Sequence, residues 1–192
     1  MFPLGSVLFP GGALPLHIFE PRYQALVRDC IDAPEHEFGV VLIDRGREVG
    51  GGELRRDVGV IARMVQVAQL ADDRFAVVAV GTRRIRVIEW LPDDPYPRAV
   101  VDDWPDASGE NDTAEDAAHA MVADVTRRAL QFADDEVPVE HDGGAFAIAE
   151  RVPLGAADRY AVLCAPTSAE RWRVLDRALA DVEAAIEFRL ND

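Results

Sequence analysis

Between Phe2 and Leu26 the chain reads FPLGSVLFPGGALPLHIFEPRYQAL. A short apolar strand runs into a Pro10-Gly11-Gly12 turn, a second strand follows, and a helix starts just after Glu20. This run constrains the fold most, because proline and glycine force a reversal between two apolar segments close together in the chain. Ala13 to Phe19 alternates weakly, and Pro15 has no N–H to give a ladder, so the second strand belongs at a sheet edge. Glu20-Pro21-Arg22 opens the helix with an acid near its N-terminus and proline in its first turn. Tyr23, Leu26, Val27, Cys30 and Ile31 then fall on one apolar face.

The strand pattern continues to about Trp104. Phe38 to Ile43 is a continuous apolar run, as expected of a strand buried on both faces. Asp44 to Arg56 is rich in glycine and arginine and reads as an exposed loop. Val58 to Leu70 is a long strand, Asp72-Asp73 a turn, and Phe75–Val80 and Ile85–Trp90 two further strands. Tyr96 to Trp104 completes the set. Six or seven strands around one helix predict a small, closed or nearly closed mixed barrel.

Beyond Trp104 the pattern becomes helical. Pro105 to Asp112 reads as a linker, which divides the chain into a β-rich part, 1–105, and a helical bundle, 113–192. Thr113-x-x-Asp116 resembles a capping box, and Met121, Val125, Ala129 and Phe132 recur on one face. Asp134 to Gly144 is an acidic loop. Short helices are expected around Phe146–Val152 and over Asp158–Cys164. Thr167-x-x-Glu170 is a second capping box, before a last helix with Trp172, Leu175, Leu179, Val182, Ile186 and Leu190 on one seam.

Charge narrows the partners. The net charge is −15, with 16 acids and 12 arginines before Asp106 and 19 acids and 8 arginines from there on. Such a surface repels nucleic-acid phosphates and anionic lipid headgroups, so neither nucleic acid nor membrane is expected as a partner. No run of apolar residues is long enough to span a bilayer, and prolines and glycines interrupt the apolar N-terminal stretch, which argues against a signal peptide. Cys30 and Cys164 lie far apart inside predicted helices and read as buried, reduced thiols, consistent with a cytoplasmic protein.

Several separated motifs resemble the N-terminal substrate-binding domain of Lon-type ATP-dependent proteases, in the form seen in free-standing Lon-domain proteins. They are Pro3-Leu4 with Leu8-Phe9-Pro10-Gly11 and Pro15-Leu16; Ile18 to Tyr23; Val58 to Met64, similar to the family's Gly-x-x-Ala strand; and Val77 to Val87, similar to its strand-Gly-Arg-strand element. Ala149 to Leu154 and Leu163 to Leu175 extend the likeness into the second half. The resemblance implies an α+β fold: a PUA-like pseudo-β-barrel with one inserted helix, followed by a C-terminal helical bundle. It also implies protein recognition without chemistry.

The residues agree with that implication. There is no lysine in the chain, so neither a phosphate-binding Gly-x-x-x-x-Gly-Lys loop nor a Ser-Lys peptidase dyad can be built. The histidines His17, His36, His119 and His141 are dispersed, and ligand pairs such as Glu35-His36-Glu37 and Glu140-His141-Asp142 place neighbours on opposite faces of a strand. No catalytic residue, cofactor or metal is expected. Arg83, Arg84 and Arg86 form the one basic cluster. It is where an RNA-binding or RNA-modifying reading would start, but its face lacks nearby aromatics.

The reading that results is a non-catalytic module that binds unfolded or extended polypeptide, or a protease or chaperone partner. Phe9, Pro10, Leu14 and Leu16 are its candidate contacts, and Arg84 and Arg86 are candidate charges for selectivity. The alternatives are a PUA-like RNA protein and a structural subunit that docks through the last helix.

Overall fold

The computed structural model describes residues 1–45, 52–107, 115–129 and 144–190. The chain forms two compact units, Met1–Pro105 and Asp106–Asp192. The fold is α+β.

The first unit contains β1 (Phe2–Leu4), β2 (Ala13–Ile18), α1 (Pro21–Asp32), β3 (Glu37–Arg45), β4 (Leu54–Gln69), β5 (Phe75–Leu91) and β6 (Arg98–Asp103). The six strands make one mixed sheet in the order β1-β3-β4-β5-β2, with β6 also paired to β5. Only β1 and β3 run parallel. Along one side β5 carries β4; along the other it carries β2 over Phe75–Val80 and then β6 over Ile85–Leu91. β1 and β2 therefore end the order, and among the described residues no ladder joins them. The predicted barrel stays open along this seam. Pro15 does lie in an edge strand.

The two strands expected over Phe75–Val80 and Ile85–Trp90 are one strand that passes through Gly81. Gly81 accepts a hydrogen bond from Gly11 N at 2.8 Å and donates one to Gly12 O at 2.9 Å. The Pro10-Gly11-Gly12 turn thus docks on β5 in the gap between β2 and β6. Gly11 has φ +83°, which favours glycine, and a Cβ on Gly81 would lie 2.2 Å from the Phe9 carbonyl oxygen. Gly59 in β4 is equally committed, since its Cβ would lie 2.2 Å from Val40 O. Ala62, three residues on, is wholly buried.

β4 begins at Leu54, inside the stretch predicted as loop. The charged residues there concealed a hairpin in which Leu54 and Arg55 pair with Arg45 and Ile43 of β3. Arg55 is held by Glu53 at 2.8 Å and by a bidentate pair with Asp93 at 2.8 and 3.1 Å. The turn from β4 to β5 uses Asp72 and Asp73 in the left-handed region, φ 60° and 58°, which aspartate tolerates better than most residues.

α1 buries Tyr23, Leu26, Val27 and Cys30 as the spacing predicts. Ile31, expected on the same face, is 41% exposed at the end of the helix. Glu20 sits at the N-cap without a side-chain capping bond; it accepts instead from Arg22 Nε at 3.1 Å. The Cys30 thiol donates to Glu37 O at 3.3 Å, and burial pushes it up to about 11, so it stays protonated and inert. Cys164, expected to be buried, is half-buried.

The second unit contains α2 (Glu115–Ala129), α3 (Gly144–Arg151), α4 (Ala156–Cys164) and α5 (Ser168–Leu190). α5 is packed by α2, α3 and α4. Its start is capped as predicted, with Glu170 N donating to Thr167 Oγ1 at 3.1 Å. Leu175 and Leu179 are wholly buried, together with Val125 of α2 and Val162 of α4. Arg128 of α2 reaches α5 at Glu183 (2.7 Å) and Asp176 (2.6 Å), and these acids hold its guanidinium well above the ordinary range despite partial burial. The predicted seam fades after Val182, since Ile186 is 37% exposed and its neighbour Phe188 is 69% exposed. Gly50 and Gly51, Asp112, the capping residue Thr113, Phe132, the acidic loop 134–143 and His141 lie outside the described residues, as do the side chains of Asp116, His119 and Leu190.

Candidate functional site

The open seam of the first unit holds a cleft of about 210 Å³. Phe2 and Leu4 of β1 form one wall, and Pro15 to Ile18 of β2 form the other. Phe19, Glu20 and Tyr23 line it at the junction of β2 with α1. The first wall is fully packed, because every residue of β1 is buried. Tyr23 stacks on Phe2 with ring centroids 4.1 Å apart, and the Arg22 guanidinium lies 4.4 Å from the Tyr23 ring centre.

The second wall is different. Among the described residues β2 pairs only with β5, and the other edge of its backbone carries no ladder. Leu14 and Leu16 are half-buried and Ile18 is buried, while Ala13, Pro15 and His17 are exposed. Phe19 continues this strand and is 56% exposed. It precedes the N-cap, where an apolar residue usually folds against an apolar partner four residues into the helix. Here that position is Gln24, whose Nε2 donates to Phe19 O at 3.3 Å. The ring is left without that staple, and the mismatch is readable in the sequence.

Two buried polar atoms nearby have no partner among the described residues, the Tyr23 hydroxyl and Glu53 Oε2. Burial pushes the Tyr23 phenol up to about 12, with the Glu53 charge adding to the rise and Arg22 opposing it. It is a neutral donor throughout the physiological range. No group of three His, Cys, Asp or Glu side chains among the described residues is placed to hold a metal ion.

The sequence-derived contacts separate. Phe9 is wholly buried and its carbonyl backs onto Gly81, so it is core and offers nothing to a ligand. Pro10 is half-buried in the docked turn, and Leu14 is half-buried outside the cleft lining. Leu16 alone of the four lines the cleft. Phe2, Phe19 and Tyr23 were not among the expected contacts.

The arginines of the cluster pack on Trp104 or pair with acids of the sheet. Arg84 is buried, and its guanidinium lies 4.5 Å from the Trp104 ring centre; exposed Arg86 lies 4.3 Å from the same ring. Trp104 N also donates to Arg84 O at 2.9 Å. The cluster therefore does have an aromatic neighbour, brought by chain pairing from eighteen residues beyond Arg86. Arg83 pairs with Glu37 at 2.6 Å and Asp103 at 2.9 Å. A second shallow groove of about 200 Å³, lined by Ile31, His36 and Met64 to Val67, lies beside the far end of β4.

With this geometry in hand, the profile of the ATP-dependent protease La (LON) substrate-binding domain matches residues 1–179. The chain belongs to this family. It is 30% identical over 129 residues to the Lon protease of Anaeromyxobacter dehalogenans, a match that covers 66% of this chain and 15% of that protein. A LON peptidase N-terminal domain and RING finger protein of Schizosaccharomyces pombe is 29% identical over 111 residues, covering 52% of this chain and 23% of its own length. The chain thus spans a small part of these relatives, and the part matched is the substrate-binding domain, with no protease or ATPase domain. The crystal structure of a Lon N-terminal domain protein from Xanthomonas campestris superposes with TM-score 0.65 and 28% identity over 91% of this chain and 94% of that one. The N-terminal domain of the Mycobacterium avium complex Lon protease shares the fold at TM-score 0.59 and 18% identity, covering 93% of this chain and 97% of its own. No helix among the described residues is long and apolar enough to cross a membrane.

Proposed function

We propose that this chain is a non-catalytic recognition module that binds unfolded or extended polypeptide at the seam cleft, in the cytoplasm, and serves a protease or chaperone partner. The observation that carries the reading is the open cleft beside half-exposed Phe19 and the unladdered edge of β2. A volume of about 210 Å³ accepts one large side chain; it is below the several hundred cubic ångströms of an ordinary cofactor pocket. Membership of a substrate-binding family supports a protein ligand over a small molecule.

The test is fluorescence anisotropy with one labelled client in two states: reduced and unfolded, and native. The unfolded client binds and the native one does not. Phe19→Asp, with its fold verified by circular dichroism, weakens binding about fivefold or more, the scale of losing one apolar anchor. Equal binding of both states, or none at high micromolar concentration, contradicts the reading.

A further inference from the structure

Polypeptide recognition leaves open how the chain is gripped. The seam presents two different walls. β1 is three residues long and wholly buried, too short and too covered to template a new strand. β2 is six residues long, and no described residue pairs with its outer edge in a ladder. Below that edge the cleft has room for a single large side chain. An exposed strand edge recognises main chain, and a pocket beside it recognises one alternate side chain; together they define an extended peptide.

We propose that the outer edge of β2 accepts an extended client segment as an added antiparallel strand, with one large apolar side chain of that segment seated in the cleft between β1 and β2. This rests on the polypeptide-binding reading above and specifies its geometry. Antiparallel addition is favoured because such ladders are slightly more stable per residue than parallel ones. The client then runs parallel to β1 across the cleft, because β1 and β2 run in opposite directions through the sheet.

Two observations choose the occupant. The net charge is −15, so a segment without acids and with basic flanks is admitted and an acidic one repelled. Pro15 argues against a second copy of this chain. It lies near the middle of β2, so antiparallel pairing of β2 with its own copy brings two residues without N–H groups to the centre of one short ladder. A client strand meets only one.

The experiment uses the full chain and a labelled peptide of twelve residues, with Leu and Phe at alternate positions, Arg at both ends and no acids. A set of variants carries one N-methyl group each, which removes one N–H and leaves every side chain in place. Strand addition predicts a period-two profile: N-methylation at alternate core positions weakens binding about tenfold, and at the positions between it changes binding less than twofold. Hydrogen exchange of β2 amides slows when the unmodified peptide binds. Binding that survives every N-methylation, or falls evenly along the peptide, overturns strand addition and leaves polypeptide recognition standing. Failure of every peptide and every unfolded client to bind overturns the reading beneath it. Sedimentation showing that the chain self-associates, with the peptide competing for that contact, assigns the edge to a second copy and also overturns the proposal.

Discussion

A side chain at position 81 has nowhere to go. The nearest heavy atom to a new Cβ is the Phe9 carbonyl oxygen at 2.2 Å, and that carbonyl belongs to a turn already bonded to Gly81 through Gly11 and Gly12. Relief would require the turn to leave β5, so Gly81→Ala is expected to lose about 2–4 kcal/mol in urea unfolding, the range of severe overpacking with lost hydrogen bonds. A loss below about 0.5 kcal/mol, the scale of an inert surface change, would show that the turn is not docked there. Tyr23 makes the opposite case. Its hydroxyl is buried without a partner among the described residues while its ring stacks on Phe2, so Tyr23→Phe keeps the stack and removes the orphan. The expected change in the same assay is between zero and about 1 kcal/mol of added stability; a loss larger than that would reveal a bond the hydroxyl makes. Neither role can be read from the residue alone. The sequence shows a glycine in a strand and a tyrosine on an apolar face; what each touches comes from segments far away in the chain.

At the scale of elements, Glu37 ties three strands together. Its carboxylate, at the start of β3, accepts from Arg63 of β4 at 2.8 Å and from Arg83 of β5 at 2.6 Å. Burial raises the Glu37 carboxyl, but the hydrogen bonds and charges of the two arginines outweigh it and hold the group below its ordinary 4.5. The sign follows from the lowered value in the fold. The contribution is fully present above about 4.5, the unfolded value, and is lost as pH falls through the lower folded value. Both arginines are about half exposed, so screening limits the contribution to about 1 kcal/mol. Glu37→Gln should therefore be less stable than the parent at neutral pH and converge with it in acid. A gap that persists unchanged to low pH would mean that packing, not charge, is at work. Strand existence was legible because apolar runs and turn residues are local. The continuity of β5 through Gly81 and the early start of β4 were not, since a glycine and a run of charges are the usual marks of an ending. The fading of the α5 seam was hidden for a similar reason: periodicity shows which residues share a face, not where the neighbouring helices stop.

For the whole molecule, the order of strands decides where a ligand can enter. Placing β1 and β2 at opposite ends of the order brings two unlike edges to one seam, one buried and one open. Leu14 and Leu16 lie on β2, but of the expected contacts only Leu16 lines the cleft; Phe9 is buried, and the lining residues Phe2, Phe19 and Tyr23 were not among those expected. Adjacent apolar residues look alike until the partners that cover them are known. The exposed apolar places among the described residues include the seam with Phe19, the groove from Ile31 to Val67, and the stretch of α5 with Ile186 and Phe188. Hydrogen exchange with and without a reduced, unfolded client, read residue by residue, chooses among them. Client binding at the seam slows exchange in the amides from Ala13 to Phe19, with no slowing specific to the other two places; protection confined to β4 beyond Met64, or to α5, would place the client elsewhere.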